Sequence, residues 1–154
     1  MEEILRYLNN YFFRFKATGK FEIRGNKIIG LKGEYFKGQY LLIEGSLLND
    51  GVVEVLDYRN NEITIEKPYN EKFEGVIYSL AVPTQLRELK DKIEEFKLKN
   101  KNSDKVSESF EGYSYTKAAV NGEIATWKDV FKEELRPFRQ MYDGKRRVKE
   151  VHAW

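Results

Sequence analysis

Between residues 20 and 82 the apolar residues of this chain fall in short runs of strand-forming side chains, whereas on either side they recur every three or four positions. The two periods demand different backbones, because alternate side chains share a face in a strand and every third or fourth does in a helix. The segments "KFEIRGNKIIG", "QYLLIEG", "GVVEVLDY", "NEITIEK" and "EGVIYSLAVP" are rich in Val, Ile, Leu and Tyr and bounded by Gly, Asn or Pro. Gly25-Asn26 and Asn60-Asn61 are turn signals between such segments, since Gly and Asn tolerate positive φ. The span predicts a small antiparallel sheet or partial barrel over about 20–82. A sheet of this kind must cover a face, and the flanking helices are the expected cover.

Ile4, Leu5, Leu8, Phe12 and Phe15 stand at helical spacing, with Glu2 and Glu3 at the positive end of the dipole, which predicts a helix over 3–15 stopped by Gly19. Pro83-Thr84 switches the period back. Leu86, Leu89, Ile93 and Phe96 then predict a helix over 84–99 with Thr84 as its N-cap. "KLKNKNSDKVSES" is polar and reads as a loop, and Gly112 and Asn121-Gly122 mark a loop or hairpin after it. Thr126 with Asp129 three residues on opens a last helix over 126–141, whose apolar face holds Trp127, Val130, Phe131, Leu135 and Phe138. Pro137 kinks or ends it. The fold class is α+β: a single domain over 1–142 with a β-rich insertion at 20–82, then a tail over 143–154.

Composition narrows the chemistry. With no cysteine and a single histidine, His152, the chain cannot build a thiolate or histidine metal cluster, a cysteine nucleophile or a serine–histidine triad from a well-placed base. The carboxylate pairs Glu2-Glu3, Glu94-Glu95 and Glu133-Glu134 are neighbours on a helix and diverge, so they read as solvated surface. No enzyme activity, metal or cofactor is expected. The net charge of +2 sets up no global field toward nucleic acid. No run of about 18 apolar residues exists, and "MEEILRYL" starts acidic, so neither a membrane span nor a secretory signal is expected.

The most patterned stretch is "GQYLLIEGSLLNDGVVEV". Gly45, Ser46, Asn49, Asp50 and Gly51 sit there between two apolar runs. Val52-Val53 follow the last glycine where a phosphate loop needs Lys and Ser or Thr, and the ligand spacing of a calcium loop is missing. These five residues are expected to form a structural turn. Tyr113 and Tyr115 beside Lys117 have the make-up of a base-stacking platform, but without a broader basic groove they read as strand or packed loop. In the tail, Lys145, Arg146, Arg147 and Lys149 interleave with Val148, Val151 and Trp154 at a spacing of three. That pattern is expected to dock on a protein partner, with a disordered terminus as the first alternative and direct DNA contact by the basic run as a distant third.

Two pieces together resemble a known group. "GQYLLIEGSLLNDGVVEV" resembles a hairpin found in many structural proteins of tailed bacteriophages and prophages. "ESFEGYSYTKA" followed by "TWKDVFKEELRPFR" resembles the C-terminal half of small head–tail connectors, or adaptors, from prophages of Gram-positive bacteria. The resemblance covers roughly residues 36–56 and 76–140. It implies a structural virion protein of the neck, assembled in the host cytoplasm, that forms a dodecameric ring. Such a ring binds the portal protein through the C-terminal segment, meets the next neck or tail protein, and lets double-stranded DNA pass without specific binding. The family adaptor is a small helical bundle, and the β-rich insertion departs from it. That departure leaves a stopper or tail terminator open, and beside them a small β-barrel nucleic-acid-binding domain.

Overall fold

The computed structural model describes residues 1–101, 107–110, 113–116, 126–140 and 149–152. Its chain contacts form two compact units, Met1–Val82 joined by the strand at 149–152, and Pro83–Gln140.

The first unit opens with helix α1 (Glu2–Leu8) and continues through β1 (Phe13–Arg24), β2 (Lys27–Ile29), β3 (Tyr40–Glu44), β4 (Gly51–Glu54), β5 (Asp57–Arg59), β6 (Glu62–Thr64) and β7 (Glu71–Leu80). The sheet order is β4-β3-β7-β1-β2-β6-β5, with every neighbouring pair antiparallel. The two ends of that order, β4 and β5, are joined by Val55-Leu56 alone. Val55 N–H donates to the Gln39 carbonyl, and Leu56 N–H donates to that of Thr64. The sheet therefore bends back on itself around one core, in which Ile23, Ile28, Leu41, Ile43, Ile63, Ile65 and Ile77 are buried. Each fully buried side chain of this kind contributes roughly 1.5–3 kcal/mol. This is the small antiparallel sheet that the period-two segments predict, with its N-terminal helix.

Residues 9–15 depart from the expected helix. Asn9 adopts φ 51°, and the N–H groups of Asn9 and Asn10 close on the carbonyls of Arg6 and Leu5. A left-handed asparagine is a strong helix stop. Phe12 follows at φ 53° with its N–H on Asn10 Oδ1 at 3.0 Å, and β1 begins at Phe13. The helical spacing of Phe12 and Phe15 was coincidental. Gly19, expected as a stop, lies within β1 opposite Gly75 of β7.

The long β1 has β7 along one edge. Its other edge carries β2 against Glu22–Arg24 and, beside Phe15–Thr18, a parallel strand β10 (Lys149–His152). Four residues of the expected docking tail are thus strand in their own sheet. Parallel pairing needs a long crossover, which the intervening chain supplies.

In the second unit, α2 (Thr84–Lys101) buries Leu86, Leu89, Ile93 and Phe96, the stripe read from sequence. It starts at Thr84 as expected, but the N-cap place falls to Pro83 rather than Thr84, because the Pro83 carbonyl accepts the first helical bonds from Leu86 and Arg87. The segment expected as a polar loop is helix through Lys101 and strand from Ser107. There β8 (Ser107–Phe110) pairs with β9 (Tyr113–Thr116) as the hairpin alternative anticipated. The last helix is broken into α3 (Trp127–Val130) and α4 (Lys132–Leu135), then a 3-10 turn at Arg136–Phe138 around Pro137. Thr126 N–H and its hydroxyl both donate to Asp129 Oδ2, at 2.8 and 2.7 Å. The bond from the Thr126 backbone, more than any other cause, holds the Asp129 carboxyl below its ordinary value. Trp127, Phe131 and Leu135 are buried, and the Phe131 ring meets that of Phe96 edge-on at 5.8 Å.

Candidate interaction surface

The β3–β4 connection, residues 45–50, contains the five turn residues singled out from sequence, together with one partner that the sequence did not reveal. Glu71, the first residue of β7, turns its carboxylate into the loop. Oε1 accepts from Leu47 N–H at 2.9 Å, and Oε2 accepts from Leu48 N–H at 3.2 Å, Asn49 Nδ2 at 2.9 Å and the Ser46 hydroxyl. Successive N–H groups converging with a hydroxyl are the ingredients of an anion cradle. Here the anion is the chain's own carboxylate. The bond from Ser46 is the largest cause holding the Glu71 carboxyl below its ordinary value, with the bonds from Leu47, Asn49 and Leu48 reinforcing it.

The other turn residues complete the network. Asp50 Oδ1 accepts from Ser46 N–H at 2.8 Å, and the Ser46 hydroxyl accepts from Asn49 N–H at 2.7 Å. The Asn49 side chain pairs like a strand with the backbone of Tyr69, donating to its carbonyl at 3.0 Å and accepting from its N–H at 2.7 Å. Ser46 and Asn49 are buried. Gly45 and Gly51 adopt φ 94° and 125°, which few other residues tolerate. Beyond Gly51, the Glu2 carboxylate of α1 accepts from Val52 N–H at 3.3 Å.

This network holds two leucines in solvent. Leu47 is 93% exposed and Leu48 56%, while Tyr69, anchored through Asn49, is 66% exposed. A loop that only had to turn has no need of adjacent apolar tips, and water penalises them. Apolar side chains held in place this way are a candidate contact surface, since pre-ordering lowers the cost of binding.

Of the tail residues expected to dock, Lys149 and Val151 lie on β10, paired with Phe15 and Ala17. Lys145, Arg146, Arg147, Val148 and Trp154 lie outside the described residues. Tyr113 and Tyr115 lie on β9. Four of the six adjacent carboxylates form surface ion pairs, Glu2 with Arg6, Glu94 with Lys90, Glu95 with Lys99 and Glu133 with Arg136. Among the described residues no cluster of three His, Cys, Asp or Glu forms a metal site, and no helix is long and apolar enough to cross a membrane.

Glu71 was invisible to local pattern reading because it lies 25 residues from Ser46 and reads as an ordinary exposed acid at a strand start. The adjacent leucines inside a run of turn formers were the one available signal. Searches of protein-family models, of curated proteins and of solved structures each returned no match to this chain.

Proposed function

We propose that this chain is a structural assembly protein whose work is done by contact surfaces. The observation that carries the reading is the Leu47-Leu48 tip, fixed in solvent by the Glu71 network. A ring is built from heterologous contacts, so each subunit presents two different faces. The tip is one. A groove of about 460 Å³ along β1, β2 and β7, where Ile29 lies among Lys20, Glu22, Lys72 and Glu74, is the candidate for the other. Its rim carries equal numbers of acids and bases, which sets no charge barrier against an apolar tip.

The finer assignment rests on the resemblance of residues 36–56 and 76–140 to phage connectors. On that reading the chain is a head–tail adaptor of the virion neck, ringed beneath the portal and extending the DNA channel toward the tail. The β-rich unit equally suits a stopper or tail terminator in the same neck. The basic residues Lys145, Arg146 and Arg147 and the apolar Val148 and Trp154 are the portal-docking part of the tail. DNA slides through such a channel only if the lumen avoids strong phosphate binding.

Electron microscopy of the purified chain mixed with the portal protein encoded beside it tests this assignment. The expected result is a ring seated on the portal. Particles of bare portal, with this chain left unassembled at micromolar concentration, would remove the neck role.

A further inference from the structure

We propose that the open end of the rolled sheet is a binding site for a planar heterocycle bearing an anionic group, such as one nucleoside monophosphate. A cleft of about 340 Å³ lies there between β1, β7 and the 32–39 segment. That volume suits a single ring system with its substituent, and mouths of rolled sheets are favoured places for ligands. Phe15, Tyr35 and Phe36 line it, and Phe15 and Phe36 are 37% and 51% exposed, unusual for rings that are free to pack. Aromatic faces left open to solvent are stacking surfaces.

Two buried polar side chains line the cleft, and one of them, the Ser79 hydroxyl, lacks the partner that folding normally supplies. Gln39 is 3% exposed, and its side chain makes one bond, Oε1 accepting from Phe36 N–H at 3.4 Å. Its amide N–H₂ donates to no described residue. Behind it, Ser79 is 5% exposed and its Oγ has no partner; in register it lies beside Phe15 and Leu41 on the core face of the sheet. A buried hydroxyl left without a partner at one end of an otherwise apolar core calls for a ligand.

The charge at the mouth has a specific origin. Register between β1 and β7 slips between Phe13 and Phe15, so Arg14 is the extra residue of a bulge. Bulges re-aim side chains, often beside functional sites. The Arg14 guanidinium lies over the Phe15 ring at 5.2 Å and forms no ion pair with a described carboxylate. It is a cation placed where a phosphate or carboxylate attached to a stacked ring would reach. Lys32 and Glu34 also line the cleft, and Glu34 would turn the anionic group toward Arg14. Tyr35 is fixed by its hydroxyl, which donates to the Lys32 carbonyl at 3.1 Å; burial pushes its pKa up to about 12, so it stays neutral and a donor.

Titration of the full chain with AMP, adenosine, inorganic phosphate and a short oligo-dA, followed by the Gln39 side-chain amide resonances, tests the site. AMP should shift those resonances saturably below millimolar concentration, and phosphate alone should not. Arg14→Gln should weaken AMP about tenfold or more and leave adenosine unchanged, and Phe36→Ala should weaken both. Both positions are exposed, so the variants keep the fold. Tighter binding of oligo-dA than of AMP assigns the ligand to a single-stranded chain, and weaker binding assigns it to a free nucleotide. Failure of AMP and oligo-dA to move the Gln39 amide at 10 mM overturns the proposal, as does AMP binding that Arg14→Gln leaves intact. Neither result bears on assembly through the Leu47-Leu48 tip.

Discussion

Gly75→Ala should destabilise the sheet unit by about 1–3 kcal/mol, and by more if the backbone cannot yield. A Cβ at this position would lie 2.2 Å from the Glu44 carbonyl oxygen, far inside contact distance. No rotamer relieves that overlap, because both partners are fixed backbone in the β3–β7 ladder. The only relief is separation of the two strands at the point where Gly45 also presses in, its own would-be Cβ 3.0 Å from Gly75 Cα. The strain therefore reaches the first residue of the presented loop. Urea or thermal unfolding measures the effect; a unit of this size should lose roughly 4–8 °C in Tm per kcal/mol. Gly25→Asn is the matched control. Gly25 has nothing within 4 Å, and its φ of 62° is one that Asn adopts readily, so that variant should unfold like the parent. Equal stability of Gly75→Ala and the parent would contradict the close approach of β3 to β7.

Removing the charge of Glu71 should release the loop while leaving the sheet folded. The Glu71 carboxyl titrates below its ordinary value of 4.5 because the ionised form accepts the bonds from Ser46, Leu47, Asn49 and Leu48. A carboxyl depressed in the folded state contributes stability that is fully present above its unfolded value and is lost as pH falls through the folded value. The Leu47, Leu48 and Asn49 amides should therefore stay protected from exchange at neutral pH and lose protection as acidification carries the pH below the ordinary carboxyl value of 4.5 and through the depressed one. Glu71→Gln puts a donating amide where donors converge, so its loop should exchange freely at pH 7 and show no acid transition. Amide exchange and chemical shifts followed by NMR between pH 7 and 3 read both effects. A loop that is equally protected with and without the carboxylate would show that the apolar tip is held by something else.

How much of this was legible beforehand follows from the range of each interaction. The strands at 20–82, the stripe from Leu86 to Phe96, the Thr126–Asp129 start and the break at Pro137 are set by neighbours a few residues apart, and local pattern sufficed for them. The stop at Asn9-Asn10 was also local but was outvoted by the coincident spacing of Phe12 and Phe15. Glu71, the glycine contact between Gly45 and Gly75, the pairing of β10 with β1 and the bulge at Arg14 depend on strands brought together from distant parts of the chain. No single-sequence period records such pairings. The stretch around Ser46 and Asn49 was read as a turn, which it is. What its residues did not disclose is that the turn is an occupied anion cradle presenting two leucines.

Sedimentation velocity of the full chain, beside a Leu47→Asp, Leu48→Asp variant, tests the central claim most directly. Both positions are exposed, so the variant should keep the far-UV circular dichroism and melting behaviour of the parent. The parent is expected to sediment as an oligomer at tens of micromolar and the variant as a monomer, since a charge at a desolvated apolar contact is strongly unfavourable. A monomeric parent, or a variant that assembles as the parent does, would contradict the assignment of this loop as an assembly surface.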